Sequence, residues 1–100
     1  MLGKLEIEVL LASIQAGEGA LPSEIYARIE ASGGKSPAFG AVYTTLTRMV
    51  AKGLLSEKSK QDSAGRTRRA FTPTPAGKHA INDSMNRFRN LGGYALAGGF

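Results

Sequence analysis

The 100-residue sequence predicts a single small α+β domain in which three helices precede a two-stranded hairpin and a short last helix. Apolar residues recur at helical spacing in four segments, and a polar segment containing glycine separates two short strand-like runs. The connections between these elements are short. Because one hairpin cannot build a doubly wound sheet, the natural assembly is a helical domain with a β-hairpin packed beside it.

The first two helices are predicted from their apolar spacing. The first covers residues 5 to about 15, and its apolar face at i, i+3, i+4 and i+7 consists of Ile7, Leu10, Leu11 and Ile14. The second begins at Pro22, which suits a first helical position, and carries Ile25 and Ile29 on one line. Glycines follow each helix and mark the turns.

The third helix carries the most informative pattern. Ser36 is expected as its N-cap and Pro37 as its first residue, and Gly53 stands where a glycine ends many helices. The core face is predicted to be Phe39, Val42, Tyr43, Leu46, Met49 and Val50. The opposite face carries the small or polar residues Pro37, Gly40, Ala41, Thr44, Arg48 and Ala51.

A hairpin and a last helix complete the predicted domain. The strands cover residues 54–58 and 69–72, with a basic, glycine-containing tip over 60–68. Thr74-Pro75 repeats the cap-plus-proline pattern, and the helix it starts ends near Gly92-Gly93. The domain therefore covers residues 1–92. Residues 93–100 form a glycine-rich apolar tail that either frays or docks on a partner.

Composition excludes several functional classes. Cysteine is absent and His79 is the only histidine, so disulfides and Cys/His zinc sites are excluded and no cofactor is expected. The sequence shows no Ser/His/Asp order, no carboxylate pair at a defined spacing and no phosphate-binding glycine loop, so we expect no enzyme. It also shows no leader and no apolar run of the roughly 20 residues that span a bilayer, which predicts a cytoplasmic protein.

The charge is unevenly distributed along the chain. Residues 1–34 hold two basic and five acidic side chains, whereas residues 35–100 hold eleven basic and three acidic ones. The positive half coincides with the third helix and the hairpin. Such an asymmetry is typical of nucleic-acid binding, because each neutralised phosphate releases counterions, although a basic solvated surface would show the same charge.

With these elements placed, the sequence resembles the PadR-like transcriptional regulators over roughly residues 5–80. The residues that carry the resemblance are Leu5-Glu6, Val9-Leu10-Leu11, Glu24-Ile25, Ile29, Gly40-Ala41-Val42-Tyr43, Leu46, Arg48, Gly53-Leu54-Leu55, Gly65-Arg66, Arg68-Arg69 and Thr74-Pro75-Ala76-Gly77. The resemblance implies a winged helix-turn-helix and a regulator that binds double-stranded DNA. The sequence departs from the family where Gly92-Gly93 shortens its long C-terminal dimerisation helix, and it contains no tryptophan.

The predicted DNA surface combines the third helix with the hairpin, or wing. Gly40 and Ala41 allow close approach to base edges, Thr44 suits a phosphate or a thymine methyl, and Arg48 suits guanine or phosphate. The helix start at 36–37 favours a phosphate. The remaining expected contacts are Tyr43, Thr47, Lys52, Arg66 and Arg68. Tyr43 has a core role as its alternative, and Phe39 has a direct DNA contact as the alternative to its core role. Arg69 is expected to point away from Arg66 and Arg68.

A homodimeric, sequence-specific regulator is the leading hypothesis, and repression is implied by the resemblance. Two copies would place their third helices in successive major grooves of a pseudo-palindrome, about 10 bp or a multiple apart. Ile81, Met85 and Phe88 are the dimerisation residues, with packing on the domain's own core as their alternative. The alternative function is a winged-helix module for protein–protein interaction without sequence-specific DNA binding. The sequence identifies no small-molecule effector.

Overall fold

A computed structural model of the chain describes residues 2–92. The elements are α1 (Lys4–Ala16), α2 (Pro22–Ala31), α3 (Phe39–Ala51), β1 (Leu55–Gln61), β2 (Thr67–Pro73) and α4 (Pro75–Asn90). This order confirms the predicted α+β winged helix. The last helix ends close to Gly92, as predicted, but its 16 residues make it the longest of the four described helices. The predicted tail, residues 93–100, lies outside the described residues.

The hairpin is longer than predicted. β1 and β2 pair antiparallel, from Leu55 opposite Pro73 to Gln61 opposite Thr67, so the connecting loop is only residues 62–66. The outer strand residues are polar on both faces, and the alternation that marks a half-buried strand is therefore missing from the sequence there. Ala20 forms an isolated bridge with Phe71: its N–H donates to the Phe71 carbonyl over 3.0 Å and its carbonyl accepts from Phe71 over 2.9 Å.

One apolar core lies between the helices and the base of the hairpin. Its largest fully buried side chains are Phe71, Leu10, Ile25, Leu46, Met49, Leu55, Val9 and Val42. Full burial of an aliphatic or aromatic side chain stabilises a fold by about 1.5–3 kcal/mol. Ile81 from α4 is 4% exposed and belongs to this core. Ile81 thus packs on the domain's own core, as the alternative to its predicted dimerisation role expected.

The buried face of α1 differs from the predicted one. Leu11 and Ile14 are each 39% exposed, whereas Val9, Ala12 and Ser13 are buried beside Leu10. The Ser13 hydroxyl is satisfied inside the helix, where it donates to the Val9 carbonyl over 2.7 Å. α1 packs against α2, α3, α4 and β2, and its small residues fit that crowded position. The larger residues Leu11 and Ile14 remain outside.

The start of α3 also corrects the prediction. Ser36 and Pro37 precede the helix, and Ala38 is the N-cap, without a side-chain hydrogen bond. The Pro37 carbonyl accepts a 2.7 Å hydrogen bond from the Tyr26 hydroxyl of α2. This hydrogen bond engages the Pro37 carbonyl, Ala38 is extended, and α3 begins two residues after Pro37. No helix within residues 2–92 is long and apolar enough to cross a membrane.

Candidate nucleic-acid interface

The thin face predicted for α3 is present. Gly40, Ala41, Thr44, Arg48 and Ala51 are all exposed. Val42, Leu46 and Met49 anchor the opposite side in the core. Thr45 is also buried, and its hydroxyl donates to the Ala41 carbonyl over 2.8 Å. An exposed helix face of small residues can approach another surface closely, because little side chain separates it from the backbone.

Aromatic side chains form one edge of this face. Phe39, which was predicted to be core, is 43% exposed, and that prediction is wrong. Its ring packs edge-on against Tyr26 with centroids 5.3 Å apart, and lies 6.2 Å from the Tyr43 ring. α2 thus covers one edge of Phe39, and the side chain remains partly exposed. Tyr43 is itself partly exposed beside it, in agreement with its predicted border position.

Arg69 joins the wing to α3. Its Nε and Nη2 donate to the two Glu57 carboxylate oxygens over 2.6 and 2.7 Å, and its Nη1 donates to Thr47 Oγ1 over 2.8 Å. The guanidinium carbon lies 5.2 Å from the Tyr43 ring centroid and 5.1 Å from that of Phe71, within the range of cation–π attraction. Hydrogen bonding to Glu57 raises the pKa of Arg69 and, reciprocally, lowers the pKa of Glu57.

These contacts hold Arg69 against Glu57 and α3, but all three wing arginines line one pocket, so the predicted separation of Arg69 from Arg66 and Arg68 is not observed. They also engage the hydroxyl of Thr47, for which the sequence suggested a phosphate contact. The sequence did not identify Glu57 as the partner of Arg69. Ser59 lies opposite Arg69 in the hairpin, and Glu57 is two residues from Ser59 on the same strand, which is a diagonal position that a long side chain can reach.

At the wing tip, Asp62 accepts hydrogen bonds from the two remaining wing arginines. Its Oδ2 accepts from Arg66 Nε over 3.2 Å and from Arg68 Nε over 2.9 Å. Its Oδ1 accepts from the backbone N–H groups of Ala64 and Arg66, each over 2.9 Å. Arg68, followed by the Arg66 and Ala64 backbone groups, lowers the pKa of the Asp62 carboxyl to about 2. The sequence feature that could have predicted these contacts is an aspartate at the start of a turn that contains glycine. At such a position, Asp often accepts hydrogen bonds from backbone N–H groups.

A pocket of about 360 Å³ lies between the wing tip and the first turns of α2 and α3. It is lined by Leu21, Pro22, Ser23, Phe39, Tyr43, Asp62, Ser63, Arg66, Arg68 and Arg69. The three wing arginines and the two α3 aromatics therefore share one concave surface. Within residues 2–92, no group of three or more histidine, aspartate and glutamate side chains is placed to hold a metal ion.

Lys52, for which the sequence suggested a phosphate contact, is paired with a carboxylate. Its Nζ donates to Glu6 Oε2 over 2.6 Å, while Glu6 Oε1 accepts from the Gly3 N–H over 2.9 Å. The Gly3 N–H, and next Lys52, lower the pKa of Glu6. This ion pair ties the end of α3 to the start of α1.

A second groove, partly apolar, lies between α1 and α4. Its lining includes Leu2, Ile7, Lys52, Leu54, Phe88 and Leu91. Phe88 and Leu91 are exposed, whereas Met85 is half-buried against the core. Of the three residues predicted for dimerisation, Phe88 alone lines this groove, and it is 46% exposed.

The fold and this basic, thin-faced surface define a winged helix-turn-helix protein. The model of the transcriptional regulator PadR-like family matches residues 10–83, and the chain belongs to that family. No curated protein matches the sequence.

Solved structures share the fold at low identity. A PadR family transcription regulator from Clostridium difficile R20291 superposes with a TM-score of 0.76 at 21% identity, covering 95% of this chain and 97% of that one. A PadR-like regulator from Bacillus cereus ATCC 14579 gives 0.74 at 20% identity, with 93% and 88% covered. Bacillus subtilis PadR, in complex with operator DNA, gives 0.70 at 17% identity, with 81% of this chain and 46% of that one covered.

Proposed function

We propose that this chain is a homodimeric regulator that binds double-stranded DNA sequence-specifically and represses transcription. The observation that carries the proposal is the shared concave surface: aromatics from the first turns of α3 and three arginines of the wing line one pocket. A major-groove helix flanked by a cationic hairpin suits a duplex, since the helix reads base edges while the hairpin contacts phosphates or the minor groove. The operator complex of Bacillus subtilis PadR, which has the same fold, supports this function.

The proposed contacts follow the exposed side of α3 and the wing tip. Arg48 is the candidate for reading guanine, because it is exposed and no carboxylate within residues 2–92 is paired with it. Lys52 is held by Glu6 and takes no part, and Thr47 contributes through its bond to Arg69. The proposed contacting residues are Ser36, Pro37, Gly40, Ala41, Tyr43, Thr44, Arg48, Arg66 and Arg68.

The second copy is proposed to pack on the groove between α1 and α4. Ile7, Phe88 and Leu91 offer apolar surface there, and a dimer would remove it from water. Two copies related by a two-fold axis would read half-sites about 10 bp, or a multiple of that, apart. Phe88→Asp places a charge in this interface. We expect it to shift the sedimentation coefficient from dimer to monomer, whereas Lys78→Asp, an exposed change on the same helix, leaves the dimer intact.

DNA binding is tested by selecting bound duplexes from a random pool and titrating the selected duplex at two salt concentrations. Arg48→Ala should relax the preference for the selected sequence by about 5- to 100-fold, in line with one bidentate base contact. Arg66→Ala should weaken all duplexes alike and reduce the salt slope by about one. Lys78→Ala removes one positive charge from α4 and is the matched control.

The outcomes separate this function from its alternative. A chain that shows no salt-dependent binding to any duplex at low salt would contradict the proposal and favour a protein-interaction module. Repression is tested with a reporter whose promoter overlaps the selected sequence. Expression should fall when the unaltered chain is present and recover with the Arg48 variant.

A further inference from the structure

Asp62 uses its two carboxylate oxygens for two different tasks. Oδ1 closes the turn between the strands by accepting from the Ala64 and Arg66 N–H groups. Oδ2 accepts from the Nε atoms of Arg66 and Arg68, and so brings two guanidinium groups to one point. A substitution at Asp62 that keeps one acceptor oxygen can therefore retain the bonds that close the turn while removing those that hold the arginine pair.

We infer that Asp62 is a positioning residue for DNA recognition by the wing, because it sets the direction of the Arg66 and Arg68 guanidinium groups. The inference rests on the proposed DNA binding and identifies how the wing achieves it. The arginines supply the contact with DNA, and Asp62 acts through them.

The hydrogen-bond pattern leaves the arginines able to bind a phosphate. Asp62 engages each one through Nε, and within residues 2–92 the Nη atoms of both have no hydrogen-bond acceptor. The Asp62 side chain is only 11% exposed, whereas those of Arg66 and Arg68 are 66% and 46% exposed, so the cations cover the carboxylate. Two guanidinium groups against one carboxylate also leave one positive charge in surplus for an incoming phosphate.

Holding the arginines before binding has a thermodynamic consequence. A long side chain loses rotamer entropy when it is immobilised on a partner, and a side chain already fixed in the free protein loses less. The carboxylate also offsets the repulsion between two guanidinium groups that share one corner of the wing. Because the pKa of Asp62 is lowered to about 2, the carboxylate is ionised throughout the neutral range.

Simple electrostatics predicts the opposite effect for loss of Asp62. Removal of a negative charge from a DNA-binding surface strengthens binding to any duplex, because long-range attraction to phosphates increases. A positioning role predicts weaker binding to every duplex, because Arg66 and Arg68 contact phosphates that all duplexes share. The direction of the change in affinity therefore distinguishes the two.

Asp62→Asn is the informative variant. Its Oδ1 still accepts from the turn N–H groups, while its amide nitrogen, a donor, cannot accept from the guanidinium groups. Dissociation constants are measured for the duplex selected from a random pool and for a shuffled duplex of the same length and composition. We expect the affinities for both duplexes to fall about tenfold. Asp83→Asn, which removes the same charge from α4, should weaken neither duplex.

A double-mutant comparison completes the test. In the Arg66→Ala/Arg68→Ala background, Asp62→Asn should not weaken binding further, because the groups it positions are gone. A further tenfold fall in that background, or an unchanged or raised affinity in the single variant, would overturn the inference while the proposed function stands. An unaltered chain that binds no duplex would instead overturn the proposed function, and the inference with it. Thermal unfolding of each variant verifies that the fold is retained.

Discussion

Gly77, in the first turn of α4, is the position where the packing leaves no room for a side chain. It is buried, and a Cβ atom there would overlap the carbonyl oxygen of Leu54 and reach within 3.4 Å of a Leu10 methyl carbon. The Leu54 oxygen cannot turn aside, because it belongs to the backbone and accepts the Thr74 N–H over 3.1 Å. Gly77→Ala must therefore move α4 away from the end of α3.

The magnitude follows from two opposing effects. Alanine favours a helix over glycine by up to about 1 kcal/mol. Overpacking a tight contact costs about 1–3 kcal/mol or more, and here the obstacle is backbone. We expect Gly77→Ala to lower the free energy of unfolding by about 2 kcal/mol net. For a domain of this size, that corresponds to a melting temperature about 8–16 °C lower.

Gly40→Ala is the matched control, since Gly40 also lies in the first turn of a helix but a Cβ atom added there would meet nothing within 4 Å. Only the helix-propensity gain applies there, so this variant should be more stable than the unaltered chain by a few tenths to about 1 kcal/mol. Urea denaturation measures both free energies. If Gly77→Ala unfolded at or above the urea concentration of the unaltered chain, the close approach of α4 to Leu54 would be refuted.

Three further changes test contacts around the site. Arg69→Lys cannot keep the bidentate bond to Glu57 and should cost about 1 kcal/mol in urea denaturation, whereas equal stability would show that the link contributes nothing. Glu6, whose pKa is lowered from 4.5, stabilises the fold above that pH and loses its contribution as the pH falls. Glu6→Gln should therefore cost about 1 kcal/mol at pH 7, with the difference shrinking below pH 4.5; a constant difference down to about pH 3 would contradict this. Tyr26→Phe removes the bond to Pro37 and should lower stability by about 1 kcal/mol in thermal unfolding, and an unchanged melting temperature would count against it.

The two proline-containing helix starts show what local sequence determines and what it does not. Thr74-Pro75 begins α4 as predicted: the Thr74 hydroxyl accepts the Gly77 N–H over 3.0 Å. Ser36-Pro37 carries the same local signal, yet α3 begins at Phe39. The difference is tertiary, because the Tyr26 hydroxyl binds the Pro37 carbonyl from another helix. No spacing rule within residues 36–40 contains that information.

The exposed face of α3 was predictable because one stripe of large apolar residues determines its orientation. The buried face of α1 was not, because Leu11 and Ile14 compete with Val9 and Ala12 for the core. A helix that is apolar on more than one face has no unique orientation until its neighbours are known. In the same way, the positive charge of the wing could be read from the sequence, whereas the partners of each arginine depend on strand register.

The acidic residues of the basic half explain why the wing is ordered as well as cationic. Residues 35–100 contain only Glu57, Asp62 and Asp83 as acids, and the first two each hold wing arginines. Glu57 binds Arg69, which also donates a hydrogen bond to Thr47 of α3. Asp62 binds Arg66 and Arg68 at the wing tip. A wing that turned away from α3 would break the hydrogen bond of Arg69 to Thr47 and its contact with the Tyr43 ring. Its position relative to α3 is thus established before any partner arrives, which reduces the ordering cost of binding and leaves the remaining basic charge to attract phosphate.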